Sequence, residues 1–329
     1  MPQLMGKEIG PIGYGLMGLT WRPTPAPEEQ AFKAMRASLA AGCNFWNAGE
    51  FYGTESYNSL HLLNKYFTKY PEDADKVVLS VKGVLMNMHP DGSPENVKRS
   101  VENSLKILDG KKSIDIFEPA RVDKNVPLEV TLKALEEYVK AGKIGGIALS
   151  EVGAATIQKA VKITKIVAIE VELSLWALDI LNNGVAKAAA EHNIPIVAYS
   201  PIGRGMLTGE IKKPDDIPEG DLRRMLPRFN KENFNHNLEL VSELEKTAKQ
   251  KNCTPAQLAI NWAKQLSKKD RSYPEIIPIP GATKEERVLE NAKEITLSND
   301  ELVEIDSILK KFEVKGDRYG GPAKSHMEG

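Results

Sequence analysis

The chain has 329 residues, 41% of them hydrophobic and 27% charged, enough to bury a full core and too apolar for a disordered reading. Its 44 basic and 45 acidic residues leave a net charge of −1 with no basic block, which argues against nucleic acid or an anionic membrane and for a small-molecule partner. No apolar run approaches the roughly 18 residues that span a bilayer, the first ten residues hold no signal core, and the two cysteines, Cys43 and Cys253, lie in unrelated contexts; the expectation is a cytoplasmic protein, with the nucleus open to it, whose thiols are reduced.

Short runs rich in Val and Ile alternate with helical patterns along the chain, the signature of βα units around a parallel sheet. The first run, 12–16, carries Gly13 and Gly15, which with Gly18 just beyond it have the Gly-x-Gly-x-x-Gly spacing of a dinucleotide-binding turn. It continues into Thr20-Trp21-Arg22-Pro23-Thr24-Pro25, which cannot open a helix, so an open doubly wound sheet is the weaker reading. A helix is predicted over 27–41 and a strand over 43–47, leading into Gly49-Glu50-Phe51-Tyr52-Gly53. A second helix, 56–68, precedes a strand over 77–82 that ends on Lys82. Adjacent parallel strands would deliver Tyr52 and Lys82 to one rim of a barrel. Positive charge beside a phenol favours the phenolate and pulls its pKa down from about 10, so Tyr52 could protonate a carbonyl oxygen. Alone the pair is weak, because a tyrosine after a strand often only packs the rim.

Strands over 114–118, 144–150, 167–171, 196–200 and 276–280 then alternate with helices over 94–108, 128–141, 153–162, 177–192, 255–266 and 284–293. Ser93-Pro94 and Thr254-Pro255 read as helix caps. Eight strands and eight helices predict an α/β fold, one (β/α)8 TIM barrel domain over 1–329. Two further helical patterns, 237–251 and 299–312, are accessories, and 210–235 is a long lid loop before the last unit. His61, His89, His192, His236 and His326 have no partner at ligand spacing, so no metal site is expected.

Several separate motifs, taken together, resemble the aldo-keto reductase family over nearly the whole chain. They are the run Gly13 to Gly18, Glu50-Phe51-Tyr52-Gly53, Ser80-Val81-Lys82, the run Ala198 to Gly209, Thr254-Pro255-Ala256-Gln257-Leu258-Ala259, and Ile279-Pro280-Gly281-Ala282 with Glu290-Asn291. The resemblance implies NADPH bound in extended form at the C-terminal rim of the strands, and carbonyl reduction by hydride transfer. Tyr52 then resembles the general acid, Lys82 the cation beside it, and Tyr199 the ring that stacks on nicotinamide. Ser150 and Glu170 fall where the family holds the carboxamide. Ser200, Ile202, Arg204, Gly205 and Leu207 would hold the pyrophosphate. Thr283, Lys284 and Arg287 at a helix start suit a 2'-phosphate, favouring NADPH over NADH, and Glu290 and Asn291 fall at the adenine.

Asn47 stands where the family has an aspartate and Ala120 where it has a histidine, so half of the usual tetrad is missing. Glu118, two residues before Ala120 and therefore on the same strand face, is expected to pair with Lys82; the alternative is an unrelated buried carboxylate. Glu151 and Glu170 replace an asparagine and a glutamine, and an ionised carboxylate cannot donate to an amide carbonyl. Ala120 leaves room for a bulky aldehyde that polarises itself, as pyridoxal does through its ring hydroxyl. Residues 47–53 with 117–123 resemble the fungal pyridoxal reductase branch of the family. Trp21, Ala120 and Arg121 are the substrate candidates, with Met17, Met86, His89 and Trp176 as further rim residues. The expected activity is NADPH-dependent reduction of an aldehyde, pyridoxal to pyridoxine, by a monomer or weak oligomer. A broad aldehyde reductase and a noncatalytic NADPH-sensing subunit stay open as alternatives.

Overall fold

The structure, a computed structural model, describes residues 2–269, 272–321, 324 and 327; His326 lies outside them. Eight strands run parallel in one sheet, each beside its neighbour in sequence. They are β1 (Tyr14–Gly15), β2 (Phe45–Gly49), β3 (Val78–Gly83), β4 (Ile114–Pro119), β5 (Ile144–Ser150), β6 (Ile166–Glu172), β7 (Ile196–Tyr199) and β8 (Ile276–Ile279). The sheet closes into the expected barrel: the Gly13 amide donates to the Pro278 carbonyl at 2.8 Å, and Gly15 bridges to Gly281. A Cβ on Gly13 would stand 2.8 Å from the Phe45 carbonyl oxygen, and one on Gly15 would stand 3.0 Å from that of Ile279. The glycine spacing that imitates a dinucleotide turn is thus a close-packed seam between the first strand and its two neighbours.

Side chains alternate along every strand. Trp46, Leu79, Val81, Phe117, Ile147, Leu149, Ile169 and Val171 pack outward under the helices, while Phe45, Val78, Ile116, Ala148, Ala168, Val197 and Ile277 fill the lumen. Leu4 and Ile9, from an N-terminal hairpin of Gln3–Leu4 against Lys7–Glu8, close its lower end. Farther along the same inward faces the residues turn polar, yet Asn47, Ser80, Lys82, Glu118, Ser150, Glu170 and Glu172 are all buried. An apolar floor therefore carries a charged layer at the C-terminal end of the strands.

Helices α1 (Glu28–Ala40), α2 (Ser59–Lys69), α3 (Pro94–Leu108), α4 (Leu128–Lys140), α5 (Ala154–Ala160), α6 (Val185–Glu191), α7 (Lys231–Gln250), α8 (Pro255–Lys269), α9 (Glu285–Ala292) and α10 (Asn299–Lys311) surround the barrel. Several boundaries differ from expectation, the first strand shrinking from 12–16 to Tyr14–Gly15 among them, and three have a visible cause. The helix expected over 177–192 is broken, because Asn182-Asn183-Gly184 interrupts it and Gly184 takes a φ of +90°. α2 starts at Ser59 rather than 56, since the Asn58 side chain accepts from the Leu60 amide at 2.9 Å and caps it. α7 starts at Lys231, ahead of 237, because its buried stripe already begins at Phe234. The lid loop is accordingly shorter, and it carries single 3-10 turns at Pro214–Asp216, Leu222–Met225 and Pro227–Phe229. No described helix is long and apolar enough to cross a membrane.

Candidate active site

Tyr52 leaves β2 through a turn that its neighbours build. Ser59 Oγ donates to the Gly49 carbonyl at 2.8 Å and accepts from its amide at 2.9 Å, while Thr20 Oγ1 donates to the Tyr52 carbonyl at 2.6 Å. A Cβ on Gly49 would lie 3.1 Å from the Tyr52 ring, so the absence of a side chain there lets the ring fold over the strand end. Glu50 ties the turn to α3 by accepting from Arg99 at 3.1 Å and from Ser100 Oγ at 2.5 Å. The ring is clasped on two sides: Trp21 stacks on it with centroids 5.7 Å apart, and Phe51 meets it edge-on at 4.9 Å.

Beneath the phenol lies Lys82, 4% exposed, with two carboxylates. Its ammonium is in direct contact with Glu170 Oε1, stands 3.4 Å from Glu118 Oε1, and donates to Asn47 Oδ1 at 3.3 Å. Asn47 in turn donates from Nδ2 to Glu170 at 2.7 Å and to Glu118 at 3.3 Å, and Ser80 Oγ reaches Glu118 at 3.3 Å. Glu118 thus lies at Lys82, but Glu170 lies closer. The structure spends the Glu170 carboxylate on Lys82 and Asn47, rather than leaving it free for a carboxamide as its sequence position suggested.

The electrostatics correct the expected sign for Tyr52. Burial pushes its phenol up to about 12; the charge of Lys82 opposes, but Glu170 and Glu118 add to the rise. The lysine alone would have lowered it; the sequence placed Glu118 beside that lysine but showed neither the depth of burial nor the second carboxylate, Glu170. Burial also pushes Glu170 well above the usual carboxylate range, with the Glu118 charge adding and Lys82 opposing. Lys82 is raised: burial disfavours its charge, but Glu118, Glu170 and Tyr52 outweigh that cost. Near neutral pH the cluster is therefore a protonated phenol against an ammonium.

The residues expected at the cofactor line the same rim. Ser150 ends β5, fully buried, and its Oγ has no partner among the described residues. An orphaned hydroxyl of that kind suits a polar ligand group such as a carboxamide. After Tyr199 the chain makes a turn in which Ser200, Gly203, Arg204 and Gly205 all have φ between 51° and 95°. The amides of Gly205 and Leu207 both bond the Ile202 carbonyl, at 3.0 and 3.1 Å, so they shape this turn instead of standing open to a pyrophosphate. Arg204 points inward to Glu172 at 3.1 Å. At the start of α9, Lys284 is the exposed N-cap residue and the Thr283 carbonyl accepts from Gln30 at 2.8 Å. Arg287 pairs with Glu290 at 2.6 Å and also with Glu210, which joins the lid to α9, and Asn291 is buried. Of the further rim residues, Met17 and Met86 are exposed, whereas Trp176 is buried under Phe229.

Sequence reasoning missed the C-terminal strap. Arg318, 9% exposed, binds Glu151 at 3.0 Å and Glu172 at 3.3 Å, and the Tyr319 hydroxyl meets that of Tyr199 at 2.8 Å. Arg204 lies 4.7 Å from the centre of the Tyr319 ring and Arg121 5.6 Å from it. The signal was an Arg-Tyr pair set between Gly316 and Gly320, beyond the last predicted helix.

The sequence profile of the Aldo/keto reductase family matches residues 11–310. The chain belongs to that family. It is 41% identical to "Probable pyridoxal reductase 2" of Schizosaccharomyces pombe, covering 99% of both chains. It is 36% identical to another S. pombe aldo-keto reductase, whose name specifies NADP(+), over 98% of this chain and 96% of that one. Among solved structures it superposes on the glycerol dehydrogenase AKR11B4 of Gluconobacter oxydans with a TM-score of 0.81, over 96% of each chain. At 22% identity that last likeness bears on the barrel alone.

Proposed function

We propose that this aldo-keto reductase reduces an aldehyde to a primary alcohol with NADPH, and that pyridoxal, giving pyridoxine, is the aldehyde. One observation carries the reading: at the C-terminal end of the strands the Tyr52 ring sits over Gly49, the β2 residue paired with the buried Lys82. Bound NADPH supplies the hydride. Tyr52 gives its proton to the carbonyl oxygen, and Lys82 stabilises the phenolate that remains. Asn47, Glu118 and Glu170 hold the lysine in place, and Trp21 and Phe51 fix the ring and shield it from water. The orphaned Ser150 hydroxyl and the exposed Lys284 at the start of α9 support NADPH, as does the family together with the NADP(+) relative. Ala120, small where the family has a histidine, suits a substituted ring, and the name of the S. pombe relative points the same way.

The test is Tyr52→Phe, assayed by NADPH oxidation with pyridoxal and a panel of plain aldehydes. Loss of a general acid should lower kcat by roughly 10²- to 10⁴-fold while NADPH still quenches the protein fluorescence. A variant that keeps its rate would sink the proposal, and equal turnover of pyridoxal and nitrobenzaldehyde by the unmodified enzyme would reduce it to a broad aldehyde reductase.

A further inference from the structure

Several arginines crowd the mouth of the barrel, and most have their charges spent. Arg204 is paired with Glu172 at 3.1 Å, and Arg318 with Glu151 and Glu172 at 3.0 and 3.3 Å. Arg228 donates to the carbonyls of Trp176 and Gly316 at 2.5 and 3.1 Å, under the strap. Arg121 differs. It follows Ala120 at the end of β4, half-buried, and spends one Nη1 donor on the Ala120 carbonyl at 2.5 Å. Among the described residues no carboxylate lies within ion-pair distance of it; Glu151 acts on it only from farther off and is already bound by Arg318. The Tyr319 ring lies 5.6 Å from it and the Tyr319 hydroxyl meets that of Tyr199 at 2.8 Å, so the guanidinium stands beside the tyrosines that frame the reaction site.

A guanidinium without a counter-ion beside an aromatic wall has the chemistry of an anion receptor. It offers paired N–H donors in a plane, it is always charged, and burial strengthens its attraction for a negative oxygen. The Tyr319 ring backs one face of it, at 5.6 Å. The turn after Tyr199 is on another strand, its Arg204 held by Glu172, and the cations of α9 follow β8, so Arg121 stands apart from both and is left to the substrate.

We infer that Arg121 is the anion-recognising residue of the substrate pocket, which takes aromatic aldehydes carrying a negatively charged oxygen. The inference rests on the aldehyde-reductase reading and deepens it. That oxygen is either an ionised ring hydroxyl or a phosphate ester, and Arg121 holds it while the aldehyde faces Tyr52.

The experiment compares kcat/KM of the unmodified enzyme, Arg121→Gln and Arg121→Lys on pyridoxal, pyridoxal 5'-phosphate and the neutral pyridine-4-carbaldehyde. The charged-to-neutral ratio should fall roughly 10- to 100-fold in Arg121→Gln, the value of a charge-assisted hydrogen bond, and Arg121→Lys should restore part of it. A fall confined to the phosphate ester identifies the phosphate as the partner, and a fall for pyridoxal as well identifies the ring oxygen; either supports the assignment. An unchanged ratio for both charged aldehydes overturns it. Calorimetric titration of pyridoxine and its phosphate into the NADP-loaded protein separates the two levels. If no aldehyde is turned over but Arg121→Gln still loses product binding, the reductase reading fails and the anion site stands. Equal product binding by both proteins, or none by either, removes the anion site.

Discussion

Glu170 lies 88 residues from Lys82 in sequence, yet its carboxylate meets the ammonium directly while Asn47 bridges it to Glu118. An ammonium flanked by two buried carboxyls differs from the simple Tyr/Lys pair that sequence suggests, because each negative charge disfavours the phenolate of Tyr52. Removing one should therefore make Tyr52 ionise more easily. For a general acid, activity is lost as pH rises through the phenol pKa, which the native cluster holds near 12. In Glu170→Gln the alkaline limb of the kcat/KM profile should move to lower pH, and Glu118→Gln should move it less, its carboxylate lying 3.4 Å from the ammonium. An unmoved limb in both variants would mean that neither carboxylate is coupled to the acid. Tyr52, Lys82 and Glu118 could be read from sequence because each sits at a recognisable strand end. Glu170 was assigned a different duty because its partner depends on how β6 faces β3 across the lumen.

Asn58 does two jobs at the element scale. It caps α2 through the Leu60 amide at 2.9 Å, and its Nδ2 donates to the Glu50 carbonyl at 2.8 Å, so helix start and catalytic turn share one side chain. Asn58→Ala should cost about 1–2 kcal/mol in urea denaturation, the upper range for an N-cap, and should lower kcat because the turn that aims Tyr52 loosens. A loss of stability with kcat untouched would separate the two jobs. The strands were legible because buried parallel strands are runs of Val and Ile, and the barrel order follows from chain order alone. The helix ends were less so. The break at Gly184 was written in Asn182-Asn183-Gly184 but overridden by the apolar period around it, and the start of α7 was hidden by the polar residues 231–233.

At the scale of the whole molecule, the segment after α10 returns across the barrel mouth. Arg228 donates to its Gly316 carbonyl, the Asn237 side chain bonds the backbone of Lys315 at 2.9 and 2.8 Å, and Arg318 supplies the charge that Glu151 and Glu172 need in a dry site. Arg318→Ala would strand two buried carboxylates that keep only Arg204 and backbone donors. The expected cost is about 3–5 kcal/mol by chemical denaturation, with Arg318→Lys losing less; a change under about 0.5 kcal/mol would show that the strap is only draped over the mouth. The amino-acid sequence by itself determined the βα order, the barrel class, and the delivery of Tyr52 and Lys82 to one rim, because these follow from local periodicity and from strand ends. Tertiary structure alone decided which carboxylates meet Lys82, how the glycines of the first strand seal the seam, and that the tail enters the site. Those contacts join residues far apart in the chain, and they exist only once closure of the sheet has set strand register and burial has put a cost on every unpaired charge.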